Sequence, residues 1–364
     1  MVKKPKIAVI GLKGLPAFGG AAAVGENIIE QLKDKYDFTV YSVASHTNEK
    51  TGIYKGVKQI VFNQIKNKKI NTVVYYIKAT AHILFKSKYN LVHLHHRDAA
   101  FIIPFLRLKN RVILTTHGMV LTDKWKSLKW LFNIQDRVFL GLANIITTVS
   151  LKDKRIVNSI LSKKVQIEYI PNGVNLNDEF VYEHNESIVF AAGRIIPNKG
   201  CHVLLKALVR LNYKGHVKII GDMNQMPIYK KELIAIAKRI ENIEFIGLIK
   251  DHALLNQHIS TAKLFVYPSE IESMSMMMLE VASFKTPLIC CNIQENKDVF
   301  DNEQLLYFQI GNVEDLASKI EWANANYSLM LEKAENAFLK LKNNYLWSDI
   351  AAQYENTYDV LLNN

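Results

Sequence analysis

Along the chain, short apolar runs alternate with longer segments whose apolar residues recur every three to four positions. The first run, Lys6 to Ile10, stops at Gly11, where a strand should pass into a loop. After KGLPAFGG, residues 21–33 set Val24, Ile28, Ile29 and Leu32 on one side of a helix. The expected opening is therefore strand, glycine-rich loop, helix. Further strands are expected at 38–43, 57–62, 91–95, 111–116 and 145–149, with helices near 70–86 and 124–140. Apolar strands separated by helical segments predict a mostly parallel sheet covered on both faces.

At 167–178 the chain reads IEYIPNGVNLND, where Pro, Gly and Asn break the pattern, and a domain boundary is expected there. The alternation then restarts. Strand 188–191 leads through GRIIPNKG into helix 200–211, followed by strand 216–220, helix 229–240 and strand 243–246. Helix 251–260, strand 263–267, helix 275–284 and strand 287–291 complete a second wound domain. Beyond it no further strand is expected, only helices near 313–324, 328–342 and 347–362. In the last of these, Trp347, Ile350, Ala351, Tyr354, Tyr358 and Leu361 form an apolar stripe that needs a surface to cover.

A length of 364 residues fits two domains better than one. A chain that is 49% hydrophobic and 22% charged, with no long Pro/Gly/Ser tract, excludes disordered and collagen-like classes. Three cysteines, Cys201, Cys290 and Cys291, show neither CxxC nor His-rich metal spacing, which points to a reducing cytosol. The first residues hold too few apolar positions for a signal-peptide core, and nothing approaches the roughly 20 needed for a membrane span. The formal charge of +12 is unevenly spread: residues 1–178 carry net +17 and residues 179–364 net −5. Nucleic acid, an anionic membrane or a phosphorylated substrate would each suit such a field, as would a solvated lysine-rich surface.

Two glycine loops follow the first strand of each domain. In GLKGLPAFGG, Gly19 and Gly20 precede a helix whose unpaired N–H groups can receive a phosphate or carboxylate, although a simple tight turn would use glycines too. The loop lacks GxGxxG and an acidic ribose clamp, which disfavours a nicotinamide site. In AAGRIIPNKG, Arg194 offers a planar donor fork and Lys199 a compact cation, a pair able to neutralise a diphosphate or simply to face solvent. The sharpest feature is YPSEIESMSMMMLEVASFKTPLICC at 267–291. Glu280 interrupts an apolar helix face, so donors should await its carboxylate, and a ribose diol would supply two; a salt bridge or solvent would also satisfy it. Glu272 precedes that helix and can accept from sugar hydroxyls, while Ser273 and Ser275 can cap it. Glu270 reads as loop surface, and the Met cluster as core or conformable pocket wall. His93, His95 and His96 cluster near Asp98, but spacing alone does not make them a metal site; His117 is a candidate donor or a packed core histidine.

Taken together, GLPAFGG, THG at 116–118, PNGVN at 171–175, AGRIIPNKG at 192–200 and the pair Glu272 and Glu280 resemble glycosyltransferase family four, retaining enzymes of the GT-B fold. The opening loop and its following helix also resemble the bacterial polysaccharide-building rhamnosyltransferase-like branch. The resemblance implies an α/β architecture of two Rossmann-like, doubly wound parallel-sheet domains facing across a cleft: an acceptor-side domain at 1–174, a nucleotide-sugar domain at 175–345, and a helix at 346–364 crossing back. It implies that Arg194 and Lys199 hold the donor diphosphate, Glu280 the ribose, and Glu272 the transferred sugar. The amides of Ser273, Met274 and Ser275 would approach sugar or phosphate, His117 the sugar, Gly19 and Gly20 the diphosphate, and Gly247, Leu248 and Ile249 the base. Where the family often has Glu-Gly-Phe-Gly, this chain has Glu272-Ser273-Met274-Ser275, which leaves the donor sugar open.

The expected activity is a retaining hexosyl transfer from a nucleotide-diphosphate sugar to a glycan or lipid-diphosphate-linked acceptor in bacterial surface polysaccharide synthesis. No carboxylate can be placed beside the anomeric carbon, so the family-implied route is a same-face attack assisted by the leaving phosphate rather than a covalent double displacement. No DxD-like motif stands out, and no divalent metal or other cofactor is expected. The basic half is expected to meet an anionic membrane through 124–137 (KWKSLKWLFNIQDR), placing the protein in the cytoplasm at the inner face of the membrane. Rival readings are a sugar-nucleotide epimerase or phosphorylase of the same fold, and a non-enzymatic basic protein binding anions or nucleic acid. The last leaves Glu272 and Glu280 unused and has no recognisable reader module.

Overall fold

The computed structural model describes residues 4–17, 19–119, 129–161, 165–176 and 185–363. The chain divides into two units, one of 1–173 with 347–364 and one of 174–346.

The first unit runs β1 (Lys6–Lys13), α1 (Gly20–Leu32), β2 (Asp37–Val43), β3 (Gly52–Tyr54), β4 (Val57–Phe62), α2 (Lys68–Lys86) and β5 (Leu91–His95). It continues with a 3-10 turn at Arg97–Ile102, α3 (Ile103–Leu106), β6 (Arg111–Thr116), α4 (Lys129–Phe139), β7 (Ile145–Thr148), α5 (Leu151–Ile160) and β8 (Gln166–Tyr169). The second runs β9 (Ser187–Arg194), α6 (Cys201–Arg210), β10 (His216–Asp222), α7 (Pro227–Ala237), β11 (Ile243–Gly247), α8 (His252–Ser260), β12 (Leu264–Tyr267), α9 (Met276–Ser283) and β13 (Leu288–Cys291). Then come α10 (Gln294–Lys297), β14 (Leu306–Phe308), α11 (Val313–Ala325) and α12 (Tyr327–Asn344), before α13 (Trp347–Leu362) returns to the first unit.

The first sheet has the order β3-β4-β2-β1-β5-β6-β7-β8, parallel except for the β3–β4 hairpin. The second, β11-β10-β9-β12-β13-β14, is parallel throughout among the described residues. Both are Rossmann-like, doubly wound sheets. In each, strand order reverses beside the first strand, between β1 and β5 and between β9 and β12. Loops leaving the carboxyl ends of those strands diverge to opposite faces and leave a crevice, the usual ligand position in open α/β sheets.

Each unit has its own apolar core, one around Ile10, Tyr76, Leu94 and Leu114, the other around Phe190, Leu204, Val266 and Ile289. The stripe of α13 is buried from Trp347 to Leu361, and Tyr358 lies edge-on to Tyr36. Tyr36 Oη donates to Asp359 Oδ1 at 2.7 Å.

Several expectations need correction. A strand does follow 291: β14 pairs with β13, completing a sixth parallel position. The start of the expected boundary at 167–178 is β8, an edge strand paired with β7. The first strand passes Gly11 and ends at Lys13, and β9 passes Ala191 to Arg194. The elements β3, α3, α5 and α10 have no counterpart in the expected pattern. Of the helix expected at 124–140, residues 124–128 lie outside the described residues, and the described helix begins at Lys129.

Candidate functional site

In the first unit the glycine loop is held from below. Gly11, at φ 112°, donates its N–H to Tyr75 Oη at 2.9 Å, and a Cβ there would stand 1.9 Å from the His95 carbonyl oxygen. Leu15 is fastened at both backbone ends: its N–H donates to Gln59 Oε1 at 2.7 Å, and its carbonyl accepts from Thr47 Oγ1 at 2.7 Å. The Ala17 N–H donates to Glu26 Oε2 at 2.8 Å. Gly19 caps α1 at φ 103°, a Cβ there would meet nothing within 4 Å, and no side chain caps the helix. Among the described residues, no side chain or loop carbonyl accepts from the Gly19 or Gly20 N–H at this helix start.

Four imidazoles gather at the ends of β5 and β6, because those strands are parallel neighbours with His95 opposite Thr115. Buried His93 bonds Tyr358 Oη at 2.8 Å through Nδ1 and Thr115 Oγ1 at 2.6 Å through Nε2. The His93 and His95 rings lie 4.1 Å apart, and His95 Nδ1 meets His117 Nε2 at 3.0 Å. The ring of His96 lies 5.4 Å from that of His117. Burial pushes His93 down to about 3 and His96 to about 4. Burial, reinforced by the neighbouring imidazoles, holds His95 and His117 well below the ordinary histidine value. At neutral pH His117 is therefore a neutral donor or acceptor, not a cation. Despite this convergence, no group of three or more His, Cys, Asp or Glu suited to a metal ion occurs among the described residues.

In the second unit the loop after β9 and the loop after β12 are joined. Gly200 sits at φ 70°, and a Cβ there would approach the Pro268 carbonyl oxygen to 2.1 Å. The Glu270 N–H donates to the Asn198 carbonyl at 2.9 Å. This contact brings Lys199 onto Glu272: Oε1 accepts from Lys199 Nζ at 2.5 Å, Tyr267 Oη at 2.5 Å and Ser269 Oγ at 2.6 Å. Burial opposes the Lys199 charge, but Tyr267 and Glu272 outweigh it and hold the ammonium above its ordinary value. Lys199 thus forms an ion pair with the Glu272 carboxylate. Arg194, by contrast, ends β9 exposed, with no ion pair among the described residues.

Ser275 is the N-cap of α9, its Oγ accepting from the Met278 N–H at 3.2 Å. Ser273 does not cap, and Met274 is buried. Half-buried Glu280 lies one turn into α9. Its expected donors are missing: no described group donates to its carboxylate, and burial pushes its pKa up to about 7. The end of β11 is open, with Gly247 at φ 85° and Leu248 37% exposed, followed by Ile249.

The structure thus brings together Lys199 and Glu272 in one unit, and His117 with the His93 and His95 stack in the other. Tyr267 and Ser269 stand in YPSE but escape sequence reasoning, because nothing local marks either hydroxyl as a donor to Glu272. Gln59 carries no local signal, and the stripe that marks Tyr358 for burial does not name His93 as its partner.

Known proteins agree with this architecture. A model for Glycosyltransferase Family 4 matches residues 18–178, and one for Glycosyl transferases group 1 matches 186–326. The chain is 24% identical to the capsular polysaccharide biosynthesis glycosyltransferase CapH of Staphylococcus aureus, over 88% of this chain and 90% of that protein. It is also 24% identical to the putative glycosyltransferase YtcC of Bacillus subtilis, over 98% and 92%. Among solved structures, sucrose-phosphate synthase from Thermosynechococcus elongatus aligns with TM-score 0.85 at 19% identity, over 98% of this chain and 99% of that one. Anabaena Alr3699/HepE, solved with UDP-glucose, aligns with TM-score 0.77 at 16% identity, over 98% and 99%. The fold and the family models define the class: a sugar-transferring enzyme with two Rossmann-like domains. The chain is a GT-B fold glycosyltransferase, its first domain like family four and its second like group 1.

Proposed function

We propose that the protein is a retaining hexosyltransferase that takes its sugar from a nucleotide-diphosphate donor and passes it to a glycan or lipid-diphosphate-linked acceptor in bacterial surface polysaccharide synthesis. The observation that carries this reading is the convergence of Lys199, Tyr267 and Ser269 on Glu272 at the strand-order reversal of the second sheet, with unpartnered Glu280 on the following helix. CapH is by name a capsular polysaccharide enzyme, and the HepE structure contains UDP-glucose, which favours this substrate class.

In this reading Gly247, Leu248 and Ile249 border the base, and the ribose diol donates to Glu280. The diphosphate recruits Arg194 and Lys199, with the amides of Ser273, Met274 and Ser275 nearby. Glu272 uses its second oxygen for the sugar hydroxyls, since Oε1 is already filled. Neutral His117 serves a sugar hydroxyl, and the open amides at Gly19 and Gly20 favour the diphosphate. Rupture of the sugar–phosphate bond leaves positive charge at the anomeric carbon and negative charge on the diphosphate. The cations and amides stabilise the latter, each well-placed donor contributing about 3–4 kcal/mol. The same arrangement supplies the charge a divalent ion would bring, so turnover should survive chelation. The rhamnosyltransferase branch is one choice of sugar within this reading, resting on the opening loop and the helix after it.

For membrane association, α4 supplies the support. Trp130, Ile134 and Val138 recur at four-residue spacing with Leu131, all exposed, while Arg97 pairs with buried Asp136 to hold the other face. No helix of the described residues is long and apolar enough to cross a membrane, so such contact would be peripheral.

A donor-hydrolysis screen across nucleotide sugars with mass detection tests the central reading. Hydrolysis of one donor class by the wild type, lost in Glu272→Gln and Arg194→Ala, is expected. Failure to bind any nucleotide sugar, or wild-type hydrolysis by both variants, overturns it.

A further inference from the structure

The end of the first sheet remote from the glycine loop holds a second concentration of donors. Asn90 precedes β5, Arg111 opens β6 and Asn144 precedes β7, so three neighbouring parallel strands present their amino ends together. Strands of this length place that end about 15–20 Å from the His95 and His117 end. The three residues line a shallow, open surface cavity of about 580 Å³ with Arg107, Leu108 and Lys109. No Asp or Glu lines it.

Backbone contacts leave donors rather than acceptors. Asn90 Oδ1 accepts from the Lys6 N–H at 2.8 Å, and Asn144 Oδ1 from the Val112 N–H at 2.8 Å. Both carboxamides are thus oriented by their oxygens, and each keeps its NH₂ group as donor. Neither Arg107 nor Arg111 has an ion pair or side-chain acceptor among the described residues. Lys109 is tethered: its Nζ donates to the Leu84 carbonyl at 2.9 Å and lies 5.8 Å from the Phe85 ring centre. The cavity lining therefore includes two guanidiniums and two amide donors, with the Lys109 ammonium held at its edge and no lining carboxylate to neutralise them. That set matches a multiply charged oxyanion better than a neutral or cationic ligand. Leu108 in the lining, Phe85 against Lys109 and Phe105, whose carbonyl accepts from the Leu108 N–H, are 75%, 80% and 54% exposed, an apolar margin that a free ion would not need.

We propose that this cavity is a binding site for a phosphate-bearing anion, separate from the candidate transfer site and independent of the function proposed for it. The ligand class is a phosphomonoester or diphosphate, either soluble or carried as a lipid headgroup whose chain lies against Phe85, Phe105 and Leu108.

The test uses the full chain carrying Arg194→Ala and Trp130→Gln/Ile134→Gln, so that neither the proposed transfer site nor α4 contributes in full, with and without Arg107→Gln/Arg111→Gln. Pyrophosphate is titrated calorimetrically, and phosphatidylcholine vesicles with or without phosphatidic acid are sedimented at low salt. Because Arg107 is exposed, Arg111 half-buried and neither in an ion pair among the described residues, nearly equal unfolding temperatures are expected. Removing two charge-assisted forks should weaken binding at least about tenfold. Pyrophosphate binding lost in the double variant supports the site with a soluble source. Phosphatidic-acid-dependent sedimentation lost in that variant supports it with a lipid source. If the double variant matches its parent in both arms, or its parent binds neither probe, the site does not exist.

Discussion

Glu280 turns the proposed ribose contact into a measurable pH dependence. In the free protein its carboxyl is lifted from an ordinary value of 4.5 to about 7 because burial disfavours the charge and no donor answers it. A rise of that size corresponds to about 3 kcal/mol. Residual water at this half-buried position reduces it, so about 1–3 kcal/mol is the working range. The sign follows from proton counting. Between about pH 4.5 and 7 the folded state holds a proton that the unfolded state has lost, so stability falls as pH rises, and the cost is complete above about pH 7. Glu280→Gln imitates the protonated form. It should match the wild type near pH 4 and exceed it by about 1–3 kcal/mol at pH 8.5, read from denaturant unfolding at each pH. Nucleotide binding should run the other way: a diol donating two hydrogen bonds requires the ionised carboxylate, so wild-type affinity should rise through about pH 7 with proton release. The variant should bind weakly at every pH. An equal stability difference at both pH values would refute the burial argument. Wild-type affinity that stays flat across about pH 6–8 would refute the ribose assignment.

Two other outcomes can be checked directly. Gly200→Ala places a Cβ 2.1 Å from the Pro268 oxygen at φ 70° and should cost about 2–4 kcal/mol while separating Lys199 from Glu272; unchanged thermal unfolding together with unchanged donor hydrolysis would show that the two loops need no close approach. For membrane contact, a protein carrying Arg107→Gln/Arg111→Gln should still sediment with anionic but not neutral vesicles at low salt, and adding Trp130→Gln/Ile134→Gln should abolish that preference; identical behaviour with both vesicle types would remove α4 from the account.

Much of this architecture is written in local pattern. The β9 run, the loop ending at Gly200 and the helix after it are legible because an apolar strand, a turn requiring φ near 70° and an amphipathic helix each need particular residues within a few positions. The stripe of α13 is legible for the same reason: a helix with Trp347, Tyr354 and Tyr358 on one side has to bury them. Edge strands are another matter. The three residues of β14 and four of β8 are too short to show a period, and they become strands because β13 and β7 offer them unpaired backbone groups.

At the site, residue types pointed to chemistry, but folding assigned the partners. Glu272 and Lys199 are 73 positions apart, and their ion pair depends on Gly200 passing close to Pro268. Tyr358 reaches His93 across 265 positions because α13 packs on the first unit. A carboxylate on an apolar helix face calls for donors, yet the neighbours of Glu280 supply none, and that isolation is what lifts its pKa. Periodicity is set by near neighbours and survives in a linear reading. Ion pairing, desolvation and tautomer choice depend on distances between remote segments, which exist once the sheets have closed.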